Sequence, residues 1–575
     1  VFDIEADKHG KTTIVGYMDV DGFVSFPTEK ELLEHIFCYV DPGTVIYAHN
    51  FGGYDGQRLL PYLDSFNAKF AFRTNGGRIT AGKIKEAWID NICFKGPWLF
   101  ADSLLTIQMS LEKMAEMLGI EGKQGHHTDT DEKLIKYVER DCLILYKAIE
   151  GLQEAAGKLK FQLKPTPAAC SADYVRRHIE TVQLPDCSED KAAYFGGMCS
   201  VIRPEASKGI CYDINSAYTW AMCQPLPVGN PRILYIEGRK LREAFKNGLL
   251  GIAEGKVDIP DQILPPLPVR TDRIYYPWGR FSGSWTLTDL SHCEPSWLLG
   301  TWKIRAYRAE KWLAPVLEPL YEERQKSNGV LKEIIKKLLN GFYGKTAEIG
   351  KGESISEIDD ISEIKDDTNV VKVFAGDCVT FLERKKEEYR TLAQSWATAA
   401  HITAGCRYVW RKHFADYLDR LCYFDTDSAY LTGDDDLPSD RLELGHIKAE
   451  FSWADGLFQA PKLYCVQEAG GGWHIRAKGF HIGQYFRVTP CRLYRADKSE
   501  RGKPGVLSVE TDGDILFREL VGGKPYVYQS PRSFARSEEV GVFREEMRTV
   551  SATPGNGRLW SPGDRCTRPV RIYEK

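Results

Sequence analysis

The stretch Leu421-Cys422-Tyr423-Phe424-Asp425-Thr426-Asp427-Ser428-Ala429-Tyr430-Leu431 limits the possible fold more than any other part of the chain. Two apolar runs of strand length flank a polar Asp-Thr-Asp break, which predicts a hairpin. Flanks this apolar belong in a core, so the hairpin has to present two acids at the edge of buried structure. Neighbouring carboxylates repel unless a cation or a proton intervenes. An ordinary acidic turn is the plainer alternative, and the character of the flanks speaks against it.

A second acid arrives in the same way. Ile210-Cys211-Tyr212-Asp213-Ile214-Asn215-Ser216-Ala217-Tyr218 places Asp213 at the end of an apolar strand. Between the two segments, a helix is predicted from about Val330. Lys332, Lys336, Asn340 and Tyr343 share one face of it, while Leu331, Ile334, Ile335 and Leu338 take the opposite side. Two cations, an amide and an aromatic ring suit a triphosphate and a base. Any amphipathic helix could carry such a face, but the ending Asn340-Gly341-Phe342-Tyr343-Gly344-Lys345 is less ordinary.

The N-terminal region offers a separate set of acids. Asp3 and Glu5 alternate with apolar residues, so they project from one side of a predicted strand. Tyr47-Ala48-His49-Asn50-Phe51-Gly52-Gly53-Tyr54-Asp55 leads from an apolar strand into a helix start, where Asp55 would also serve as a simple cap. Tyr137 and Asp141 lie four apart on a helical stripe formed by Leu134, Val138, Leu145 and Ile149. A hard cation such as Mg²⁺ suits carboxylate sets of this kind, because it keeps waters and phosphate oxygens in the rest of its shell.

The 575 residues allow three or more packing units. There is no C-x-x-C pair among the 15 cysteines, which argues for reduced thiols and against a zinc ribbon. No apolar run reaches ~18 residues and no signal peptide is visible, so neither a membrane span nor secretion is expected and the location read is cytoplasmic. The chain opens inside a predicted strand, which suggests that a few residues precede it. The net charge of −4 is uneven: from 481 onward, 17 Lys and Arg face 12 Asp and Glu, a local +5 that leaves −9 for the rest. A local basic groove is all that a nucleic-acid path requires. Residues 1–150 alternate strand and helix patterns, 163–169 read as a connector, 229–310 as β-rich or irregular, and 312–343 as helical.

Taken together, the N-terminal pieces resemble the exonuclease motifs of DnaQ-like proofreading domains. Asp213-x-x-Ser216-x-Tyr218, Lys336-x-x-x-Asn340-x-x-Tyr343-Gly344 and Tyr423-x-Asp425-Thr426-Asp427-Ser428 resemble motifs A, B and C of family B DNA polymerases, in order. Tyr194-Phe195-Gly196-Gly197 and Lys462-Leu463-Tyr464 match that family's Y-x-G-G and K-x-Y signatures. The resemblance implies an α/β and α+β multidomain fold: a DnaQ/RNase H-like 3′→5′ exonuclease domain, then a right-hand palm, fingers and thumb. It implies two Mg²⁺ ions per centre, with Mn²⁺ as an alternative, held by Asp3, Glu5, Asp55 and Asp141 in one and by Asp213, Asp425 and Asp427 in the other. Tyr137 would position the attacking water. Ser216, Tyr218, Lys332, Lys336, Asn340 and Tyr343 would bind the nucleotide. His49, Asn50, Tyr54, Ser103, Leu104, Tyr194, Gly196, Gly197, Thr426, Lys462 and Tyr464 would contact DNA.

The implied order is exonuclease at 1–160, linker at 161–193, palm with motif A at 194–228 and a first insertion with palm at 229–311. Fingers follow at 312–344, a second insertion at 345–393, palm with motif C at 394–480 and thumb at 481–575. About 120 residues separate motif A from motif B, and a further 81 separate Gly344 from Asp425, which leaves room for the insertions. This looks like the protein-primed branch, that of phi-29 phage, linear-plasmid and adenovirus enzymes. The implied partners are primer–template and single-stranded DNA, deoxynucleotides and a terminal-protein primer, with the enzyme a monomer and no membrane partner. The chain departs from the pattern at Ala6, Ala217, Thr219 and Gly341. Open alternatives are a family B polymerase that starts without a protein primer, and a nuclease carrying a non-catalytic DNA-binding module.

Overall fold

A computed structural model describes residues 1–7, 11–75, 78–122, 131–271, 274–350, 353–358, 370–375, 380–385, 389–391, 393–433, 437, 443–471 and 473–477. Beyond these it describes residues 486–489, 492–495, 515–516, 526–531, 545–550, 558–560 and 566–572. The chain divides into two compact units, Val1–His178 with Glu322–Leu392 and Pro531–Glu546, and Ile179–Tyr321 with Ala393–Ser530 and Met547–Lys575.

In the first unit, strands Phe2–Ala6, Thr12–Asp19 and Gly22–Phe26 form an antiparallel meander. Alternation sends Phe2 and Ile4 into the core, 0 % and 2 % exposed, and leaves Asp3 and Glu5 on the other face. The long helix Asp131–Lys158 packs against strand Thr12–Asp19. Gly16 allows it: a Cβ there would stand 2.4 Å from Val138 Cγ1 and 3.3 Å from Cys142 Sγ. Gly16 lies directly opposite Asp3 in the register, so the bare strand surface lets the helix come close where the acids sit. A second sheet contains Val45–Ala48, Ile92–Asp102, Arg78–Ile89 and Lys69–Asn75, the first two parallel. Strand Glu353–Ile358 from the expected second insertion pairs with Lys69–Asn75 and extends that sheet.

The second unit holds a seven-stranded sheet in the order Trp473–Ala477, Leu463–Glu468, Ile447–Ala460, Glu205–Ile214, Ser428–Thr432, Leu421–Asp425 and Cys199–Val201. Its core is aromatic: Tyr423, Tyr430, Trp453, Phe458 and Tyr464 pack together. Helix Trp396–Phe414 is buried along most of its length. Residues 229–310, read as β-rich or irregular, form most of a five-stranded sheet with Leu226–Glu237, Leu298–Glu310, Leu250–Ile259 and Trp278–Thr286.

Two local readings differ. The prolines at 165 and 167 read as breakers, but Pro167 opens helix Pro167–His178, within the expected linker. At a first helical position the missing N–H costs nothing. The helical stretch 312–343 is two helices, Ala314–Lys326 and Gly329–Thr346, separated at Ser327–Asn328, with Gly329 at φ +54°. Residues 359–369 of the expected second insertion and most of 481–575, expected as thumb, lie outside the described residues. Every cysteine among the described residues is a free thiol. Among the described residues no helix is long and apolar enough to cross a membrane.

Candidate active sites

The first centre forms where strand Phe2–Ala6 meets helix Asp131–Lys158. Carboxylate oxygens of Asp3, Glu5 and Asp141 lie within 4.8 Å of one another. An all-oxygen, three-acid set of this span fits Mg²⁺ or Mn²⁺. Asp55 is 1 % exposed at the start of helix Asp55–Leu63, and its Oδ1 accepts the Ile4 N–H at 3.2 Å. Burial first, and then the charge of Asp3, push the Asp55 carboxyl well above the usual range. Tyr137, half-buried one turn before Asp141, leans on the apolar group of Ile14, Met18, Leu134 and Val138.

The turn beside this centre is held by Asp102, which the sequence reading missed. Asp102 is fully buried, caps helix Ser103–Ile107 through the Leu104 N–H at 2.9 Å, and accepts N–H donors from Asn50 at 3.1 Å and Gly52 at 3.0 Å. Its position just before Ser103-Leu104 was the available signal, an acid at an N-cap. Asn50 is thereby fixed at φ +73°. Ser103, expected to touch DNA, is instead fully buried. Its hydroxyl donates to the Ala48 carbonyl and lies 3.1 Å from His49 Nδ1, so it sets the histidine ring and has no surface to offer a strand. His49, Tyr54 and Leu104 are half-buried. Burial raises the Tyr54 phenol to about 12, and the Arg58 guanidinium sits 5.5 Å from its ring centre. Arg58 also pairs with buried Glu29 at 2.7 Å, a tie between helices that sequence did not reveal.

The second centre lies at the end of the seven-stranded sheet. Asp213 ends strand Glu205–Ile214 with Ser428 opposite on one side and Lys448 on the other. The Ile214 N–H donates to the Asp427 carbonyl at 2.9 Å, which brings the Asp213 strand against the Asp425-Thr426-Asp427 turn. Burial, followed by the Asp427 charge, raises the Asp213 carboxyl, and burial also raises that of Asp427, with Asp425 adding to it. Buried carboxylates crowded together in this way are relieved by a divalent cation, and the all-oxygen set suits Mg²⁺ or Mn²⁺. Thr426 sits at φ +61°, a strained value for a β-branched residue. It is held there by its N–H to the Met198 carbonyl at 2.6 Å. Gly197 lies against it: a Cβ would be 2.8 Å from Thr426 Oγ1. The second of the paired glycines after Tyr194-Phe195 therefore has a packing reason, while a Cβ at Gly196 would meet nothing within 4 Å.

Lys462 Nζ reaches Asp425 Oδ2 at 2.6 Å. Tyr464, expected at the DNA with Lys462, is 6 % exposed and shares a 3.0 Å contact with the Tyr430 hydroxyl, so it belongs to the core that carries Lys462. Arg407 was missed. It is buried, paired with Asp289 at 2.8 and 2.9 Å, and its Nη1 donates to the Phe195 and Gly196 carbonyls at 2.8 and 2.9 Å, which fixes the Tyr194–Gly197 segment. Tyr194 itself meets Trp396 with ring centres 5.6 Å apart. Ser216 adopts φ +48° as the cap before helix Ala217–Met222, and Tyr218 is half-buried in its first turn.

The helix Gly329–Thr346 belongs to the first unit. It exposes Lys332, Lys336 and Asn340 and buries Ile334, Ile335 and Leu338, as its pattern predicts. Lys336, Asn340 and Tyr343 line a cavity of about 940 Å³ with Lys337, Lys113 and Gln108. Gly341 faces helix Pro167–His178, where a Cβ would stand 3.0 Å from Ala168 Cα, and the Ser171 hydroxyl donates to the Leu338 carbonyl at 2.5 Å.

A family model described as DNA polymerase type B, organellar and viral, matches residues 119–408. A probable DNA polymerase of Podospora anserina is 26 % identical over 392 residues, 59 % of this chain and 32 % of the relative. One of Neurospora intermedia is 22 % identical, covering 73 % of this chain and 51 % of the relative. The chain thus spans about a third to a half of the length of these fungal proteins. The DNA polymerase of Bacillus phage Nf is 22 % identical, covering 73 % of this chain and 76 % of its own length. Among solved structures, Phi29 DNA polymerase complexed with primer-template DNA and incoming nucleotide substrates shares the fold over 96 % of this chain and 99 % of its own. The TM-score is 0.69 at 16 % identity. The match to that enzyme complexed with single-stranded DNA has a TM-score of 0.67. The chain therefore shares the mixed α/β fold of that enzyme over nearly its whole length. Its match to a family model across half its length, a span that includes Asp213 and the Lys336–Gly344 helix, makes this chain a member of the type B DNA polymerases of the organellar and viral group.

Proposed function

We propose that this chain adds deoxynucleotides to a DNA 3′ end under template direction at the Asp213–Asp427 centre, and removes 3′ nucleotides at the Asp3–Asp141 centre. The observation that carries the reading is the register that sets Asp213 opposite Ser428, next to the Asp-Thr-Asp turn. Acids from segments far apart in sequence meet there because they end neighbouring strands.

Asp213, Asp425 and Asp427 would hold Mg²⁺ or Mn²⁺ at one centre, and Asp3, Glu5, Asp55 and Asp141 at the other. Paired divalent ions, when bound, neutralise phosphate charge and sharpen the attacking oxygen. Ser216 precedes a helix whose first N–H groups can donate to phosphate oxygens, and Tyr218 can sit under the sugar, against a 2′-hydroxyl. Lys332 and Lys336 neutralise the triphosphate, while Asn340 and Tyr343 meet its base end. Lys462 steadies the primer terminus. At the first centre, His49, Asn50, Tyr54 and Leu104 grip a frayed strand, and Tyr137 orients the attacking water. Protein-primed initiation from a terminal protein at 229–311, strand displacement aided by 345–393, a monomeric state and work in the host cytoplasm complete the reading. All the acids expected of both centres are present, which disfavours a nuclease with an inert DNA-binding module.

The test is a labelled primer–template with Mg²⁺, with and without deoxynucleotides. Asp425→Ala or Asp427→Ala is expected to abolish extension and spare degradation, and Asp3→Ala with Glu5→Ala to do the reverse. Extension that survives the loss of Asp427 defeats the assignment. Covalent attachment of a deoxynucleotide to a partner protein tests the priming mode.

A further inference from the structure

Strand Ile447–Ala460 runs beside Asp213 and places Lys448 directly opposite it. Lys448 Nζ stands 3.5 Å from Asp213 Oδ2 and in closer contact with Glu450 Oε1. The register slips between Ala449 and Phe451, so the strand is irregular at this point. Lys448 is 31 % exposed and Asp213 27 %, which leaves the ammonium room to shift between its two acids. Its contact with Asp213 is the looser of the two. A divalent cation on Asp213 and Asp427 would repel an ammonium at that distance, and Glu450, which it already contacts, would keep it. Lys462 holds Asp425 at 2.6 Å, so two of the three acids at this centre have a resident lysine.

We propose that Lys448 is a switchable counter-ion of the polymerase centre: shared between Glu450 and Asp213, it neutralises Asp213 until a divalent cation binds, and then withdraws to Glu450 alone. Metal affinity at this centre is therefore set by the competition between ammonium and cation for Asp213, with Glu450 biasing it toward the cation. This rests on the reading of Asp213 and Asp427 as metal ligands. It predicts opposite effects from two neighbouring residues. Losing Lys448 removes the competitor, while losing Glu450 drives the lysine harder onto Asp213.

The experiment titrates Mn²⁺ alone into the full-length chain at pH 8.5 and reads free ion by electron paramagnetic resonance. Asp3→Ala with Glu5→Ala is the background, so the other centre contributes little. Lys448→Gln is expected to tighten Mn²⁺ binding about twofold to fivefold, the scale of a partly exposed ion pair. Glu450→Gln is expected to weaken it by a similar factor, and the double variant to bind as tightly as Lys448→Gln. Lys448→Arg, which keeps the charge, should bind as the parent does. Unchanged binding in Lys448→Gln overturns the proposal. So does a double variant as weak as Glu450→Gln, because Glu450 would then be a ligand in its own right. Mn²⁺ binding that survives Asp427→Ala would instead defeat the metal-site reading itself, and the counter-ion role with it. Thermal unfolding of each metal-free variant checks that its fold is intact.

Discussion

Asp55 hydrogen-bonds the strand that carries Asp3, and it is buried with its carboxyl pushed well up by burial and by Asp3. A carboxylate whose folded pKa lies above its unfolded value binds more protons folded than unfolded across that interval. Stability then falls as pH rises through it. In the metal-free protein, Asp55 therefore costs more stability at pH 8 than at pH 5. Asp55→Asn keeps an oxygen for the Ile4 N–H and sheds the charge. It should raise the thermal midpoint at pH 8 in chelator, with the gain shrinking toward pH 5, and should lower 3′ degradation by 100-fold or more, roughly the loss when one essential group goes. A gain that grows as pH falls would contradict this account. Function here is bought with stability, as is common at ionised sites.

Packing between elements explains residues that motif reading could only mark as unusual. Gly341 departs from the serine common in the family motif, and the reason is a neighbour: helix Pro167–His178 runs so close that a Cβ would crowd Ala168 and Ser171. Gly341→Ser should destabilise the first unit by about 1–3 kcal/mol, the usual cost of overpacking. It would be measured as a shift of the denaturant midpoint, and an unchanged midpoint would show that the helices yield freely. The same helix pair shows why residues 163–169 read as a connector although a helix begins among them. Pro167 was taken as a breaker because a proline's effect depends on where in a helix it falls, and that depends on where the helix starts. The hairpin at Leu421–Thr432 was legible for the opposite reason, since apolar strands and a polar turn are local signals.

At the scale of the whole chain, the expected second insertion is tied into the sheet of the N-terminal residues in the first unit. Strand Glu353–Ile358 pairs with Lys69–Asn75, with Ser354 opposite Arg73 and Ile355 opposite Phe72. Backbone pairing of this kind makes an insertion part of the body it joins. Deleting residues 350–385 should reduce strand displacement on a nicked or forked template several-fold while simple gap filling stays within about twofold, because neither carboxylate centre is touched. Equal loss of both activities would mean that the segment supports the fold.

Local pattern marked which residue types are candidates to meet DNA, nucleotide and metal, and the order in which they come. Asp-Thr-Asp between apolar strands, Asp3 and Glu5 in alternation and the lysine face of the Gly329–Thr346 helix are patterns of period 2 or 3.6, written in neighbouring residues. Tertiary structure alone decided what holds them. Asp102 under the Asn50 turn, Arg407 on the Phe195 carbonyl, Gly16 opposite Asp3 and Lys448 opposite Asp213 act across tens to hundreds of residues of chain. Tertiary structure also moved Ser103 and Tyr464 from expected DNA contacts into the interior. A hydrogen bond or a close approach depends on distance in space, and the sequence specifies that distance only through the packing of everything between.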